Sequence, residues 1–493
     1  MATSSVSSTG TGTLSSLGLG SGIDSNGIVS KLVELERSPI TQLQKAAEKI
    51  QTKVSEYGQV QSSVTSFRDA ARKVADPALW GSMTSASSDA SAVTFSTSPG
   101  AAAGSYSVAV NALAKAQTVV MANATSAATN TIGAGTLSFQ TGKWNNNVFE
   151  PGTGAAVDVA IDATDTLEGI RDKINNANAG VSASIVVDSS GARLAVSSTA
   201  TGAANGFRIQ ATDTGDGNNT DPAGLSSLIY DPEHTTDDVP DGTNLAQAAQ
   251  DASVDVNGIR LTSTTNTFST ALSNITFTVG KQTNGTPANV TVSQDLDTIT
   301  KAINDFATSY TTLATLLRTD TKYDEATNTA GTLQGDATAV SVLNQFRTAI
   351  AGTSTASSVY NTLSSIGLSI TSAGGLSVDS SKLKTALGKL PEVKKLFASA
   401  GSSSGGDGSD GIGARLRKLG DSMLSFDGTI ASRIAGLNKL ITSNQHRQDD
   451  LDARATLYEK RLRKQYTSLD TNMAGLTAQS QYVSQMITAW NKA

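Results

Sequence analysis

The chain has 493 residues, of which 38% are hydrophobic, 5% aromatic and 16% charged, and it carries a formal net charge of −6. That length exceeds one ordinary domain and predicts two to four, while the acidic balance excludes a general nucleic-acid binder. The absence of cysteine excludes an ordinary structural zinc site and suits an exported chain that must not form stray disulfides.

Residues 1–22 are rich in Ser, Thr and Gly and read as flexible. Residues 1–23 contain no charged side chain and no continuous apolar run, so no secretory signal peptide is expected there. A first short helix is predicted from Ser25 to Arg37, capped by Asp24 or Ser25, with Ile28, Leu32 and Leu35 on one side. Ser38-Pro39 then predicts a second start, because proline is favoured in the first helical turn. The helix that follows carries a heptad pattern. Leu43, Ile50, Tyr57, Val64 and Ala71 form one row, and Ala46, Val60, Phe67 and Val74 the offset row, until Asp76-Pro77 ends it.

From about residue 82 the period changes to two. Val93 and Phe95, then Tyr106, Val108 and Val110, alternate with polar residues. Further strands are predicted at 136–139, 157–161, 181–187, 192–197, 205–211, 253–262 and 274–279, interrupted by a helix from Thr166 to Ala177. Residues 212–244 predict an exposed, turn-rich loop region, with the Asp213–Asp221 cluster as a solvated turn. Helical signals return over Leu296–Leu317, Ala337–Ile350, Ser380–Leu387 and Pro391–Ala400. After a Gly/Ser/Asp linker at 401–411, helix is predicted from Ile412 almost to the end, with a bend near Asp427-Gly428. This last segment carries a second heptad pattern: Leu462, Leu469, Leu476, Val483 and Trp490 in one row, Tyr466, Met473 and Ile487 in the other. The stretch from Leu451 to Trp490 alone is roughly 60 Å of helix.

The order helix, β-insertion, helix predicts an α+β multidomain fold, with a terminal coiled-coil or bundle stalk and nested β-rich head domains between its helices. The expected divisions are a terminal helical region (1–40 and 441–493), a helical leg (41–77 and 293–440), one β-rich head domain (82–118 and 246–292), and a second inserted within it (119–245). No catalytic constellation is found. The two histidines, His234 and His446, lie far apart in the sequence. The glycine- and serine-rich run at 401–411 satisfies the patterns of a nucleophile elbow and a dinucleotide loop, but it lacks the strand–turn–helix context and histidine partner that such chemistry needs. The four bases at Lys460, Arg461, Arg463 and Lys464 read as the solvated flank of the seam at Leu462. No enzyme activity, cofactor or metal is expected, and no apolar run reaches the ~20 residues needed for membrane insertion.

The sequence resembles the bacterial flagellar filament capping protein family, also called hook-associated protein 2. Carrying the resemblance are Leu17-Gly-Leu-Gly-Ser-Gly-Ile-Asp24, Ile28-Val-Ser-Lys-Leu-Val33 and Pro39-Ile40 before the heptad helix. Residues 166–197, including Leu167, Ile170, Ile174, Asn175, Val181, Ala183, Arg193 and Leu194, look like a short motif shared by flagellin-type and hook-associated proteins. Val254-Asp-Val-Asn-Gly-Ile259, Leu333-Gln-Gly-Asp336, Leu376-Ser-Val-Asp379 and the tail from Arg454 to Trp490 continue it.

The resemblance implies a ring homo-oligomer at the distal tip of the growing filament, outside the cell, exported through the flagellar type III route without a cleaved signal. Implied partners are other copies of the chain, flagellin at the filament tip, an export chaperone through the C-terminal helix and, in some relatives, host mucin. Ile28, Leu32, Leu35, Leu43, Ile50, Tyr57, Val64, Phe67, Leu462, Tyr466, Leu469, Met473, Leu476, Val483, Ile487 and Trp490 are the expected seam residues. The N-terminal seam is expected to pack into the stalk, and the C-terminal seam and the Ile28–Leu35 segment to face the filament. The alternatives are an adhesin acting through 119–245, another axial hook–filament junction protein, or an internal bundle with no assembly role.

Overall fold

The computed structural model describes residues 24–491 except 220, 222, 235–241, 327 and 402–409. Residues 1–22, the Leu17–Ile23 part of the motif and most of the 401–411 linker therefore lie outside the described residues. Eight helices are seen among those described: α1 (Ser25–Ala75), α2 (Leu167–Asn176), α3 (Leu296–Thr321), α4 (Ala337–Ala351), α5 (Ser380–Leu387), α6 (Leu390–Ala398), α7 (Ile412–Leu424) and α8 (Thr429–Trp490). The fold is α+β, and the chain divides into a helical unit (Met1–Pro77 and Thr300–Ala493) and a β-rich unit (Ala78–Ile299).

In the helical unit α1 begins on Asp24, whose carboxylate accepts the Gly27 N–H at 2.8 Å. It then runs unbroken through Pro39, which corrects the expected division into two helices at Ser38. An internal proline removes a backbone hydrogen bond and costs ~3 kcal/mol. Here α8 contacts α1 on both sides of Pro39, Arg37 pairing with Asp452 at 3.3 Å and the Leu43 carbonyl accepting from Asn444 at 3.1 Å. The C-terminal half of α1 buries Tyr57, Val60, Val64, Phe67, Ala71 and Val74, alternating steps of three and four as a heptad seam requires. Phe67 is the aromatic centre of this core, its ring 5.3 Å from Phe306, 5.5 Å from Tyr310 and 5.3 Å from Phe346. At Gly420 of α7 a Cβ would lie 2.8 Å from Arg68 Cβ, so glycine permits the close approach of α7 to α1. The chain breaks between α7 and α8 at Ser425–Gly428, where a bend in one helix was expected.

Asp336 joins three helices. It caps α4, accepting N–H groups from Thr338 and Ala339 at 3.0 and 3.4 Å. The Tyr57 hydroxyl of α1 donates to its Oδ1 at 2.8 Å, and Arg433 of α8 donates to Oδ2 through Nε and Nη2 at 3.1 and 2.7 Å. Burial alone would raise the Asp336 pKa, but the Arg433 and Tyr57 hydrogen bonds outweigh it and hold the carboxyl below the usual range. Burial likewise pushes the Tyr57 hydroxyl up. Asp320, near the end of α3, behaves oppositely: burial, with a smaller push from Glu56, raises it to about 6.

The β-rich unit contains two cores. One lies under a five-stranded antiparallel sheet, ordered Met83–Ser87, Ala288–Gln294, Gly104–Ala112, Ala252–Val256, Ile259–Ser263. A three-stranded sheet of Thr267–Leu272, Ile275–Val279 and Val93–Thr97 contributes to the same core through Phe268, Phe277, Val279 and Val93. Residues 253–262, expected as one strand, instead form a hairpin. Asn257 and Gly258 turn it with φ of +49° and +82°, the pair that a tight two-residue turn favours.

The second core gathers Leu137, Phe139, Leu167, Ile170, Ile174, Leu194, Phe207 and Ile209 between α2 and two further sheets. One sheet has Gly135–Asn145 at its centre, paired with Gly206–Asp213, Val148–Pro151 and Val157–Ile161. The other is ordered Thr243–Gln247, Thr118–Met121, Gly191–Ser198, Val181–Asp188. The described part of 212–244 is not the exposed loop that was expected, because Leu225, Leu228, Ile229 and Tyr230 are buried. Asp213 is also buried rather than solvated, accepting the Gly215 and Leu225 N–H groups, so the acidic turn folds the apolar residues behind it into the core.

Two opposite pH responses are expected of the helical unit. Asp336, held low, contributes stability above the ordinary carboxylate pKa that is lost as pH falls through its folded value. Asp320, held high, favours the folded state below ~4 and loses that contribution as pH rises through about 6. In urea titrations followed by helical circular dichroism, Asp336→Ala should lower stability at pH 7 by about 3 kcal/mol. Asp320→Asn should raise it at pH 7.5 and leave it unchanged near pH 3.

Candidate assembly interface

The seam between α1 and α8 is antiparallel. Arg433 shares Asp336 with Tyr57, Asn444 bonds the Leu43 carbonyl, Asp452 pairs with Arg37, and Leu462 packs with Val29 and Val33. On α8 the buried residues are Ile430, Leu437, Asn444, Gln448, Ala455 and Leu462, again at heptad intervals. Asn444 and Gln448 form a polar notch: Gln448 donates to the Asn444 side chain at 2.6 Å while Asn444 donates to Leu43. A buried amide in an apolar seam reduces stability but fixes register, since a slipped pairing leaves it unsatisfied.

The expected seam residues divide into three groups. Tyr57, Val64, Phe67 and Leu462 are buried. Leu32, Leu43, Ile50, Tyr466 and Met473 are half-buried, and Leu32 and Tyr466 pack against the Val29–Val33–Leu462 cluster. Ile28 and Leu35 are exposed, and the packed positions beside them are Ser25, Val29 and Val33. The missed signal lay in the phase: counting back by sevens from Leu43 and Ala46 reaches Val29 and Leu32. Breaking the helix at Pro39 discarded that register.

Beyond Tyr466 the seam has no cover among the described residues. The row Gln448, Ala455, Leu462 continues through Leu469, Leu476, Val483 and Trp490, which are 44%, 60%, 50% and 84% exposed; Ile487 of the other row is 53% exposed.

Little else among the described residues resembles a reactive site. No group of His, Cys, Asp or Glu there could hold a metal ion, and no helix is long and apolar enough to cross a membrane. A groove of about 1020 Å³ follows α4, lined by Val340, Asn344, Thr348 and Gly352. Its charged members are already engaged, Asp336 with Arg433 and Tyr57, and Arg415 with the Thr353 carbonyl.

This is the organisation of an α+β protein built around an antiparallel seam of its two terminal helices. Comparison with known proteins gives the family. The N-terminal model of flagellar hook-associated protein 2 matches residues 21–117, its C-terminal model residues 249–478, and the flagellin hook IN motif residues 136–200. The chain is 31% identical over 488 residues to the flagellar hook-associated protein 2 of Escherichia coli K12, covering 96% of this chain and 97% of that protein. It is 28% identical over 489 residues to the B-type flagellar hook-associated protein 2 of Pseudomonas aeruginosa, covering 96% and 97%. Among solved structures it is similar to the D1-D2-D3 domains of the flagellar cap protein FliD from Escherichia coli, with a TM-score of 0.60 and 30% identity over 78% of this chain and 99% of that one. The chain belongs to the flagellar hook-associated protein 2 family.

The pairing of α1 with α8 predicts that Val29→Asp will release the first turns of α1 from α8. Hydrogen exchange should quicken at residues 25–37 and 455–466 and stay unchanged over the β-rich unit.

Proposed function

We propose that this protein caps the distal end of the bacterial flagellar filament, as a ring of identical chains that holds emerging flagellin and promotes its insertion. The near full-length relationship to flagellar hook-associated protein 2 carries this reading. The exposed row from Leu469 to Trp490 supports it, because it offers an apolar helix edge with no cover among the described residues. Burying each large aliphatic side chain there contributes about 1.5–3 kcal/mol before ordering costs, enough for a firm yet exchangeable hold. The same end of α8 is the surface proposed for an export chaperone, and export through the flagellar route is part of this proposal. So is the division into terminal region, leg and two head domains at the boundaries expected from the sequence. No observation favours the adhesin reading.

Leu469→Asp with Leu476→Asp tests the reading. The double variant should fold with an unchanged β-unit melting transition and fail to support filament growth when it replaces the wild-type protein. Filaments of normal length from this variant would reject the α8 end as the working surface.

A further inference from the structure

The four-stranded sheet of Thr243–Gln247, Thr118–Met121, Gly191–Ser198 and Val181–Asp188 has two edges that no strand covers among the described residues, and their features match. At one edge, Val181–Asp188 folds back on Gly191–Ser198 with Asp188 opposite Gly191. That register turns the backbone groups of Ala183, Ile185 and Val187 away from the partner strand. Ala183 is plugged: the Asn175 side chain accepts its N–H at 2.7 Å and donates to its carbonyl at 2.9 Å. Ile185 and Val187 have no such plug among the described residues. At the opposite edge the Thr243 N–H is taken by the Ile229 carbonyl at 3.1 Å, and Leu245 is the next residue facing outward.

The side chains match as well. Leu245, Val119, Val196 and Ala183 stand opposite one another across the four strands and so share one face. Val119, Val196 and Ala183 are core residues. Val187 and Leu245 belong to that same face at its two ends, yet they are 71% and 47% exposed. The apolar face therefore extends past its own cover at both edges. The outer strands run in opposite directions, so one copy's Val181–Asp188 laid beside another's Thr243–Gln247 continues the antiparallel pattern as far as Leu245, beyond which a bulge breaks the register.

We propose that these two edges pair with each other between copies of this chain, Val187 of one opposite Leu245 of the next. The Asn175 plug at Ala183 and the Ile229 cover at Thr243 block the register that would set Val187 opposite Thr243 and Ala183 opposite Gln247. Such a contact joins different surfaces of the two copies, and repeated head to tail it closes into a ring when the rotation permits. The inference rests on the ring reading above and assigns to it a specific strand junction.

The chain has no cysteine, so engineered thiols report cleanly. In the full-length protein Val187→Cys with Leu245→Cys should give a ladder of disulfide-linked oligomers under mild oxidation. A mixture of the two single variants should give dimers, and neither single variant alone should. Val186→Cys with Leu245→Cys should not cross-link, because Val186 lies on the other face. Val187→Pro removes the outward N–H and should weaken association in sedimentation at least tenfold, with the melting transition retained. If wild-type rings are seen by electron microscopy but the double variant gives no ladder, the junction is wrong and the ring reading stands. Dimers from Val187→Cys alone would replace it with a like-to-like edge contact. Wild-type protein that stays monomeric, even on filament ends, would overturn both.

Discussion

The helical unit depends on one antiparallel seam between helices drawn from opposite ends of the sequence, and on the inequality of its two sides. Among the described residues, α8 carries an apolar row past the first turn of α1. Asp336 fixes one end of the pairing by joining α1, α4 and α8 through a single carboxylate. The Asn444–Gln448 notch fixes the register near the middle, and Val29, Val33 and Leu462 close the other end. Between those points a one-heptad slip would strand a buried charge or amide. Beyond them the hydrophobic edge of α8 has no cover among the described residues.

In the proposed cap role, the uncovered end of α8 is the working surface. A helix edge that is apolar, regular and uncovered gains free energy only by meeting another surface. The polar devices that lock the rest of the seam stop short of it. Loss of the Asp336 junction would loosen the base of α8, whereas loss of Leu469 or Leu476 would leave the base intact and remove only the docking face. The β-rich unit uses the same economy of edges: one strand edge is plugged by Asn175 at Ala183 and left open at Ile185 and Val187.

Much of this was legible in the sequence because heptad spacing is a strong signal. Tyr57, Val64 and Phe67 are buried at heptad positions, and α5 spans Ser380–Leu387 where helix was expected, but Leu462, expected to face the filament with the rest of the C-terminal seam, instead packs against Val29 and Val33. The failures have physical causes. Proline 39 looked like a helix start, but the chain continues through it as one helix packed on α8, so the α1 register runs back to Val29. The Asn257–Gly258 turn lay inside an apolar run that read as one strand. Leu225 to Tyr230 followed an acidic turn, and their burial depended on long-range contacts that periodicity does not report. Asn444 and Gln448 were visible as polar residues in the seam, but their role required knowing which carbonyl lay opposite.

The central claim is that the open end of α8 is covered only when the protein meets its partner. Amide hydrogen exchange over residues 467–490, measured in the free full-length protein and again bound to filament ends, tests it most directly. The account predicts fast exchange in the free protein and protection on binding, strongest around Leu469, Leu476 and Val483. Equal exchange in the two states would contradict it.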